Sequence, residues 1–307
     1  MLSAPSVSRS LAEKSGVDDF AARLYHPRLM KLAIISDIHG NLPALYTALE
    51  HIDQWRPDGV FVNGDIVNRG PWPAECLALM EERRQTEGWQ LIRGNHEDYV
   101  ISNTNPRLPS SGPEFEIRRN SYWTYQKLHG DMRVLRQMPN LISFADPGGA
   151  EVRLTHASTR SNRESLFSDM ADAVLRDKIG PMPALFATAH THRAFIRQVD
   201  QTIILNTGSV GMPFDNDPRL GYGQLCWQGN HWHVEIVRLP YDVQAAIDGF
   251  SSTGFLDEAG PVARLMLREL ELAMPLTYAW EREYRRAILA GKISVAASIE
   301  AVLALTR

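Results

Sequence analysis

Lys31-Leu32-Ala33-Ile34-Ile35-Ser36-Asp37-Ile38-His39-Gly40-Asn41 is the stretch on which the reading of this chain turns. The apolar run Leu32 to Ile35 is short and ends at a turn, which reads as a buried strand. Asn41 then caps a helix with Pro43 in its first turn. Leu42, Leu45, Leu49 and Ile52 follow at helical spacing until Pro57-Asp58-Gly59 stops it. Asp37 and His39 therefore sit where a strand hands over to a helix.

The same unit recurs downstream. Val60-Phe61-Val62 reads as a strand delivering Gly64-Asp65, and 73–84 as a helix with Cys76, Leu77 and Met80 on one face. Trp89-Gln90-Leu91-Ile92 reads as a strand delivering Gly94-Asn95-His96-Glu97. This alternation predicts an α/β fold with a parallel sheet and right-handed crossovers. Sites in such folds are built at the carboxyl ends of the strands. The segment 102–140 breaks the pattern. It opens on Pro106, Pro109, Ser110, Ser111, Gly112 and Pro113, then carries Arg118, Arg119, Tyr122, Trp123 and Tyr125 in two short helical patterns. Two readings of it stand: a cap over the site, or an ordinary pair of packing helices. Base stacking on Tyr122 and Trp123 is the weaker of two readings, the other being core.

Strands resume at 151–155, 184–188, 194–199 and 202–205, and 223–227 with 231–239 forms a hairpin across Gln228-Gly229-Asn230. So many adjacent strands predict a second sheet packed on the first. Helical patterns follow at 243–250, 259–273, 279–289 and 295–305, with no cluster of metal-type residues. They are assigned to packing or to a homo-oligomer interface. The expected partition is an N-terminal extension at 1–29, a main domain at 30–240 with the cap insertion at about 102–140, and a C-terminal helical appendage at 241–307. Met30, directly before the first core strand, is an alternative natural start to Met1.

The 307 residues are 44% apolar and 22% charged, as in soluble globular chains. A net charge of −4 argues against broad, nonspecific nucleic-acid binding, which needs a basic face, and leaves a local basic pocket open. Cys76 and Cys226 make no disulfide framework and read as core cysteines of a reducing, cytoplasmic compartment. No apolar stretch approaches the length of a membrane span.

Five blocks carry the chemistry: Asp37-Ile38-His39-Gly40-Asn41, Gly64-Asp65 through Arg69-Gly70, Gly94-Asn95-His96-Glu97, Thr155-His156-Ala157 and Ala189-His190-Thr191-His192. Phosphate-ester hydrolysis is slow because hydroxide must approach an anion. Two cations about 3.5–4 Å apart neutralise the phosphate and lower the pKa of a bridging water. Such a pair needs carboxylates, one of them shared, and neutral imidazoles or an amide. Asp37, His39, Asp65, Asn95, His156, His190 and His192 are that mixture. It suits two divalent transition ions such as Mn, Fe, Zn, Co or Ni better than Mg or Ca. Each two-residue spacing, Asp37 to His39 and His190 to His192, lets both side chains face one cleft; for the histidine pair the reading is an extended backbone.

Taken together, the blocks resemble the calcineurin-like metallophosphoesterases, which include Ser/Thr protein phosphatases, dinucleoside tetraphosphatases and small bacterial phosphodiesterases. The resemblance runs from about Lys31 to Leu239. It implies a four-layer α/β/β/α sandwich of two mixed sheets. It also implies that Asp37, His39 and His192 hold one metal, that Asn95, His156 and His190 hold the other, and that Asp65 bridges them. The implied reaction is in-line attack of a metal-bridged hydroxide on a phosphate mono- or diester, a small molecule or nucleotide. His96 would protonate the leaving group and Arg69 would bind phosphate oxygens with its planar fork. Where the phosphatase pattern has an aspartate, this chain has Asn68, which can accept a hydrogen bond but carries no charge, so it raises the His96 pKa less. Asn206-Thr207-Gly208-Ser209-Val210-Gly211 resembles a loop of the small bacterial members and is expected to shape the pocket wall through its backbone. Ala157 and Ala189 replace commoner glycines, which is tolerable if neither needs φ > 0. Dinucleoside polyphosphate hydrolysis, and a noncatalytic metal- or nucleotide-binding scaffold, are the alternatives.

Overall fold

Two five-stranded mixed sheets carry the chain, and the computed structural model describes residues 29–306. Nearly all of the expected extension, and with it the choice between Met1 and Met30, lies outside the described residues. In the first sheet β1 (Met30–Ile35), β2 (Gly59–Asn63) and β3 (Gln90–Ile92) are parallel. The hairpin of β9 (Leu220–Gln228) and β10 (His231–Leu239) joins antiparallel on the β1 side. The second sheet is ordered β4 (Leu141–Ala145), β5 (Glu151–Thr155), β6 (Leu185–Thr188), β8 (Thr202–Asn206), β7 (Phe195–Val199). Its inner three strands are parallel and its two edges antiparallel.

The period of two along each strand sorts the layers. Leu32 and Ile34 of β1 join Phe61, Leu154, Leu185 and Leu205 in the core between the sheets. Ala33 and Ile35 face the other way, onto α1 (Leu42–Trp55) and α2 (Pro73–Glu87). The Asn41 side chain accepts from the Ala44 N–H at 3.2 Å and starts α1 as read from the sequence. Burial of Leu45, Leu49 and Ile52 along its inner face contributes roughly 1.5–3 kcal/mol each. After α3 (Asn95–Ser102), α4 (Pro113–Lys127) and α5 (Arg133–Gln137), the helix α6 (Asp172–Ile179) covers the outside of the second sheet. Leu175 and Ile179 meet Phe186 and Ile204 there. The layers are thus α/β/β/α.

A further apolar core lies beyond these layers. Trp123 of α4 packs with α7 (Val243–Ser252), α8 (Phe255–Glu258), α9 (Ala263–Leu272), α10 (Thr277–Leu289) and α11 (Val295–Ala304) through Phe250, Phe255, Met266, Trp280 and Ile299. The helix of the inserted segment and the C-terminal helices therefore share one core. Trp123 is 2% exposed and its ring sits edge-on to Phe255 at 4.8 Å, so it is core and stacks no base. The helix expected over 259–273 is cut short because Gly260 adopts φ 87° and Pro261 follows it. The strands β4 and the helices α3 and α6 were not expected from the sequence. β4 is an edge strand of five residues that buries only Ile142, with Leu141, Ser143 and Ala145 exposed, and α3 and α6 each span only eight residues.

Candidate metal centre

Every ligand-type side chain named from the sequence except Asn95 falls into one of two groups that share Asp65. Asp37, His39, Asp65 and His192 form one, and Asp65, His156 and His190 the other, with ligand atoms within 4.8 Å of one another in each. Asn95 joins the second, its Oδ1 standing 3.0 Å from His156 Nε2. The tautomers are set from behind. The Nδ1–H of His156 donates to the Asn63 carbonyl at 2.8 Å, and that of His192 donates to the Met212 carbonyl. In the neutral rings this turns the Nε2 lone pair toward the cluster, which is how backbone carbonyls orient metal-binding imidazoles.

Asp37 Oδ1 and Asp65 Oδ2 are buried and have no hydrogen-bond partner among the described residues. His39 Nε2 and His192 Nε2 point at each other across 3.1 Å, with Asp37 Oδ1 at 3.3 Å from the latter. Bare carboxylate oxygens and converging lone pairs in a dry pocket are costly unless a cation satisfies them. The donor set fits divalent metal ions on this ground. A separate cavity of about 730 Å³ opens at the opposite, amino ends of β2 and β3, between Gly59, Trp89 and Pro139, and holds none of these side chains.

The backbone at His190 and His192 differs from the expected extended form, while Asp37 and His39 lie in a tight turn, the form expected for them before Gly40. Asp37, His39, Asp65, Asn68, Arg69, His190 and His192 all have φ between 50° and 70°. Non-glycine residues rarely enter this left-handed region, and doing so stores strain at a site. His190 and His192 thus reach the cluster from a tight turn, and they serve different groups rather than one face of a strand. Ala157 and Ala189 keep negative φ, so the missing glycines cost nothing. Glycine is needed at Gly64, whose φ is 88° and where a Cβ would lie 2.8 Å from the Gly94 Cα.

Glu97 holds the loops in place, a role its sequence context does not announce. Its buried carboxylate accepts from the N–H groups of Asp65 and Gly94 at 2.8 Å through Oε2, and from Ile66 at 2.8 Å and Val67 at 3.2 Å through Oε1. Burial and the neighbouring Asp65 push its pKa up to about 7, against the pull of those N–H groups. Asn206 and Ser209 do similar work for the other loops. Asn206 Nδ2 donates to the Ala189 carbonyl at 2.7 Å, and Ser209 Oγ donates to the Asp37 carbonyl at 2.7 Å. The 206–211 loop therefore acts through these side chains as well as its backbone.

His96 and its neighbours depart furthest from expectation. Asn68 does not accept from His96. Its Oδ1 faces Asn120 Nδ2 at 3.1 Å and Thr124 Oγ1 at 3.4 Å, both on α4, so its amino group meets His96 Nδ1 at 2.8 Å. That hydrogen bond favours a neutral ring with its proton on Nε2. Burial lowers the His96 pKa to about 3, helped by the charges of Arg69, His192 and His190 and opposed by Asp65. Arg69 is not a surface residue. Its Nη2 is ion-paired with the buried Glu269 of α9 and donates to Thr277 Oγ1 at 3.1 Å, and its Nε faces Met212 Sδ at 3.3 Å. Glu269, Thr277, Asn120 and Thr124 were absent from the sequence reading. The tail, assigned there to packing or an interface, reaches the site. Arg93 is half-buried and paired with Asp98 at 3.2 Å.

The pocket is short of positive charge. Burial alone would lower the His156 pKa, yet the Asp65 and Asp37 carboxylates push it up to about 10. For Asp65, burial alone would raise the pKa, but His156 and His96 hold it well below the usual carboxylate range. At that pKa His156 would carry a proton in the metal-free protein and pair with Asp65 Oδ2, 3.2 Å from its Nε2. Metal uptake is therefore expected to expel its proton and to strengthen as pH rises toward that value. Calorimetry of manganese binding at neutral pH, in two buffers of different ionisation enthalpy, should show proton release. Identical heats in both buffers would mean that His156 is already neutral.

Comparison with known proteins agrees with this geometry. The sequence model of the calcineurin-like phosphoesterases matches residues 30–202. An uncharacterised protein of Methanocaldococcus jannaschii is 27% identical over 241 residues, spanning 71% of this chain and 90% of that one. A metallophosphoesterase structure from Sphaerobacter thermophilus superposes with a TM-score of 0.63 at 24% identity, covering 80% of this chain and all of that one. A hypothetical protein from Pyrococcus horikoshii gives a TM-score of 0.65 at 18% identity, over 76% of this chain and 97% of its own. At these identities the structural likeness is one of fold.

Proposed function

The chain belongs to the calcineurin-like phosphoesterase family and is a metal-dependent phosphohydrolase, and from that premise we propose a two-ion hydrolase of small phosphate esters or nucleotides. Asp37, His39 and His192 would hold one ion, Asn95, His156 and His190 the other, with Asp65 common to both. The observation that carries this reading is the pair of ligand groups sharing Asp65, with Asp37 Oδ1 and Asp65 Oδ2 buried and unpartnered among the described residues. The mixed imidazole and carboxylate donors favour Mn, Fe, Zn, Co or Ni. Bound divalent ions supply Lewis acidity toward phosphoryl oxygens and an acidified water near neutral pH.

The protein's own groups supply the rest. With Asn68 donating to Nδ1, His96 presents its Nε2–H as hydrogen-bond donor to the leaving oxygen. A neutral imidazole is a weak acid, which suits good leaving groups such as nucleotide phosphates. Arg69 contacts a non-bridging phosphoryl oxygen. No candidate ligand is missing, which argues against a scaffold that only holds metal. Hydrolysis of p-nitrophenyl phosphate and bis-p-nitrophenyl phosphate by manganese-loaded protein, side by side, tests the proposal. Turnover of neither ester, with metal bound, would refute it for simple phosphate esters.

Asn68→Asp tests the His96 role. One carboxylate oxygen would take the Nδ1–H of His96 and the other would keep Asn120 and Thr124, so the change is nearly isosteric. It should raise the His96 pKa and speed esters with poor leaving groups by up to about a hundredfold, leaving good ones little changed. An equal effect on both, read as kcat/KM across substituted phenyl esters, would remove His96 as the donor.

A further inference from the structure

Glu269 is wholly buried, and its Oε1 is already satisfied within the tail. Oε1 accepts the N–H groups of Leu276 and Thr277 and the Thr277 hydroxyl, each at 2.7 Å. This ties the end of α9 to the start of α10 and leaves Oε2 for Arg69 Nη2. The Arg69 side chain is 10% exposed, and its guanidinium carbon lies 5.6 Å from the Phe214 ring. That ring in turn stacks on the candidate ligand His192 at 4.3 Å. The guanidinium therefore borders the centre but is held from behind.

Two consequences follow for any phosphate that meets it. With Nε on Met212 and Nη2 on Glu269 and Thr277, only Nη1 has no partner among the described residues. A two-pronged grip on two phosphoryl oxygens needs a pair of adjacent N–H groups, and here both such edges are occupied. The buried carboxylate also offsets the guanidinium charge at short range, where screening by water is weak. A dianionic monoester needs that second contact and that charge more than a monoanionic diester does. Resting on the reading of Arg69 as a phosphate contact, we infer that Glu269 is a specificity-determining positioning residue. It directs this site toward monoanionic phosphodiesters and away from dianionic monoesters.

Glu269→Gln places an amino group opposite Arg69 and should release the guanidinium. In manganese-loaded protein the ratio of kcat/KM for p-nitrophenyl phosphate to that for bis-p-nitrophenyl phosphate should rise about tenfold, the size of one charge-assisted hydrogen bond. Calorimetry supplies a readout apart from turnover. Above neutral pH the variant should bind inorganic phosphate, a dianion, more tightly than wild type, with dimethyl phosphate, a monoanion, little changed. Thr277→Val, which frees one Nη2 hydrogen and leaves the Glu269 charge, should move both readouts the same way by less, and serves if Glu269→Gln does not fold. A wild type that turns over these esters while the folded variants change both alike overturns the inference and leaves the proposed function standing. A wild type that turns over neither overturns both.

Discussion

Asp65→Asn is expected to lower kcat/KM for any phosphate ester by at least about a thousandfold, roughly 4 kcal/mol of barrier. Asp65 is common to both ligand groups, so one substitution strikes two sites. Its Oδ1 accepts the His96 N–H at 2.8 Å at the start of α3, and an asparagine oxygen can keep that bond. The new amino group would replace Oδ2, which lies 3.2 Å from His156 Nε2 and 3.7 Å from His39 Nε2. A donor would then stand where a shared anionic ligand is needed. Asparagine also tolerates the φ of 56° at this position, so the fold should persist. Metal analysis should find reduced occupancy in a protein with an unchanged circular dichroism spectrum. Activity within tenfold of wild type would sink the shared-carboxylate reading.

Glu97→Ala should cost about 4 kcal/mol or more of stability in the metal-free protein, because a lost buried acceptor leaves its donors with full desolvation penalties. The N–H groups of Asp65, Ile66, Val67 and Gly94 would all lose their partner. Glu97 is wholly buried, so these donors lie away from bulk water. A drop in Tm of roughly 10 °C is the expected size for a chain of this class. Glu97→Gln should fall between, since its one oxygen can serve some of the donors while its amino group opposes the others. Urea unfolding that places Glu97→Ala within experimental error of wild type would show that the loops are held by something else.

The parts of the site that were legible in the sequence are those whose residue type is itself the chemistry. Asp37, His39, Asp65, Asn95, His156, His190 and His192 each follow an apolar run closely enough to be assigned to a strand end. Glu269 illustrates what was not legible. It sits four residues after Leu265 and three after Met266, on the buried face of α9 where the spacing calls for an apolar side chain. A charged residue in that stripe was the available signal, but exposed Glu271 two residues on makes the segment look like any amphipathic helix. Asn120 and Thr124 were hidden in the same way on α4. The left-handed turn at His190 and His192 was invisible for another reason. The His190 to His192 spacing is compatible with both an extended and a left-handed backbone, and only tertiary contacts such as the Asn206 bond to the Ala189 carbonyl decide between them. In the sheets, β1 was read closely because both its faces are buried. β9 was read short because Gly221 lies in its first part, where propensity argues against a strand although Leu220 pairs with Leu239.

The contact between Arg69 and Glu269 spans 200 residues of chain. A ribosome making this protein from its N-terminus at roughly 5–20 residues per second would expose Arg69 many seconds before Glu269. During that interval both sheets can assemble and the ligands can gather, while the guanidinium has no fixed partner and the core around Trp123 has no other half. If Glu269 sets the choice of ester, the order of synthesis would separate a stage at which the candidate ligands gather from a later one at which that choice is made. Selectivity, on this view, is the last property the nascent chain acquires.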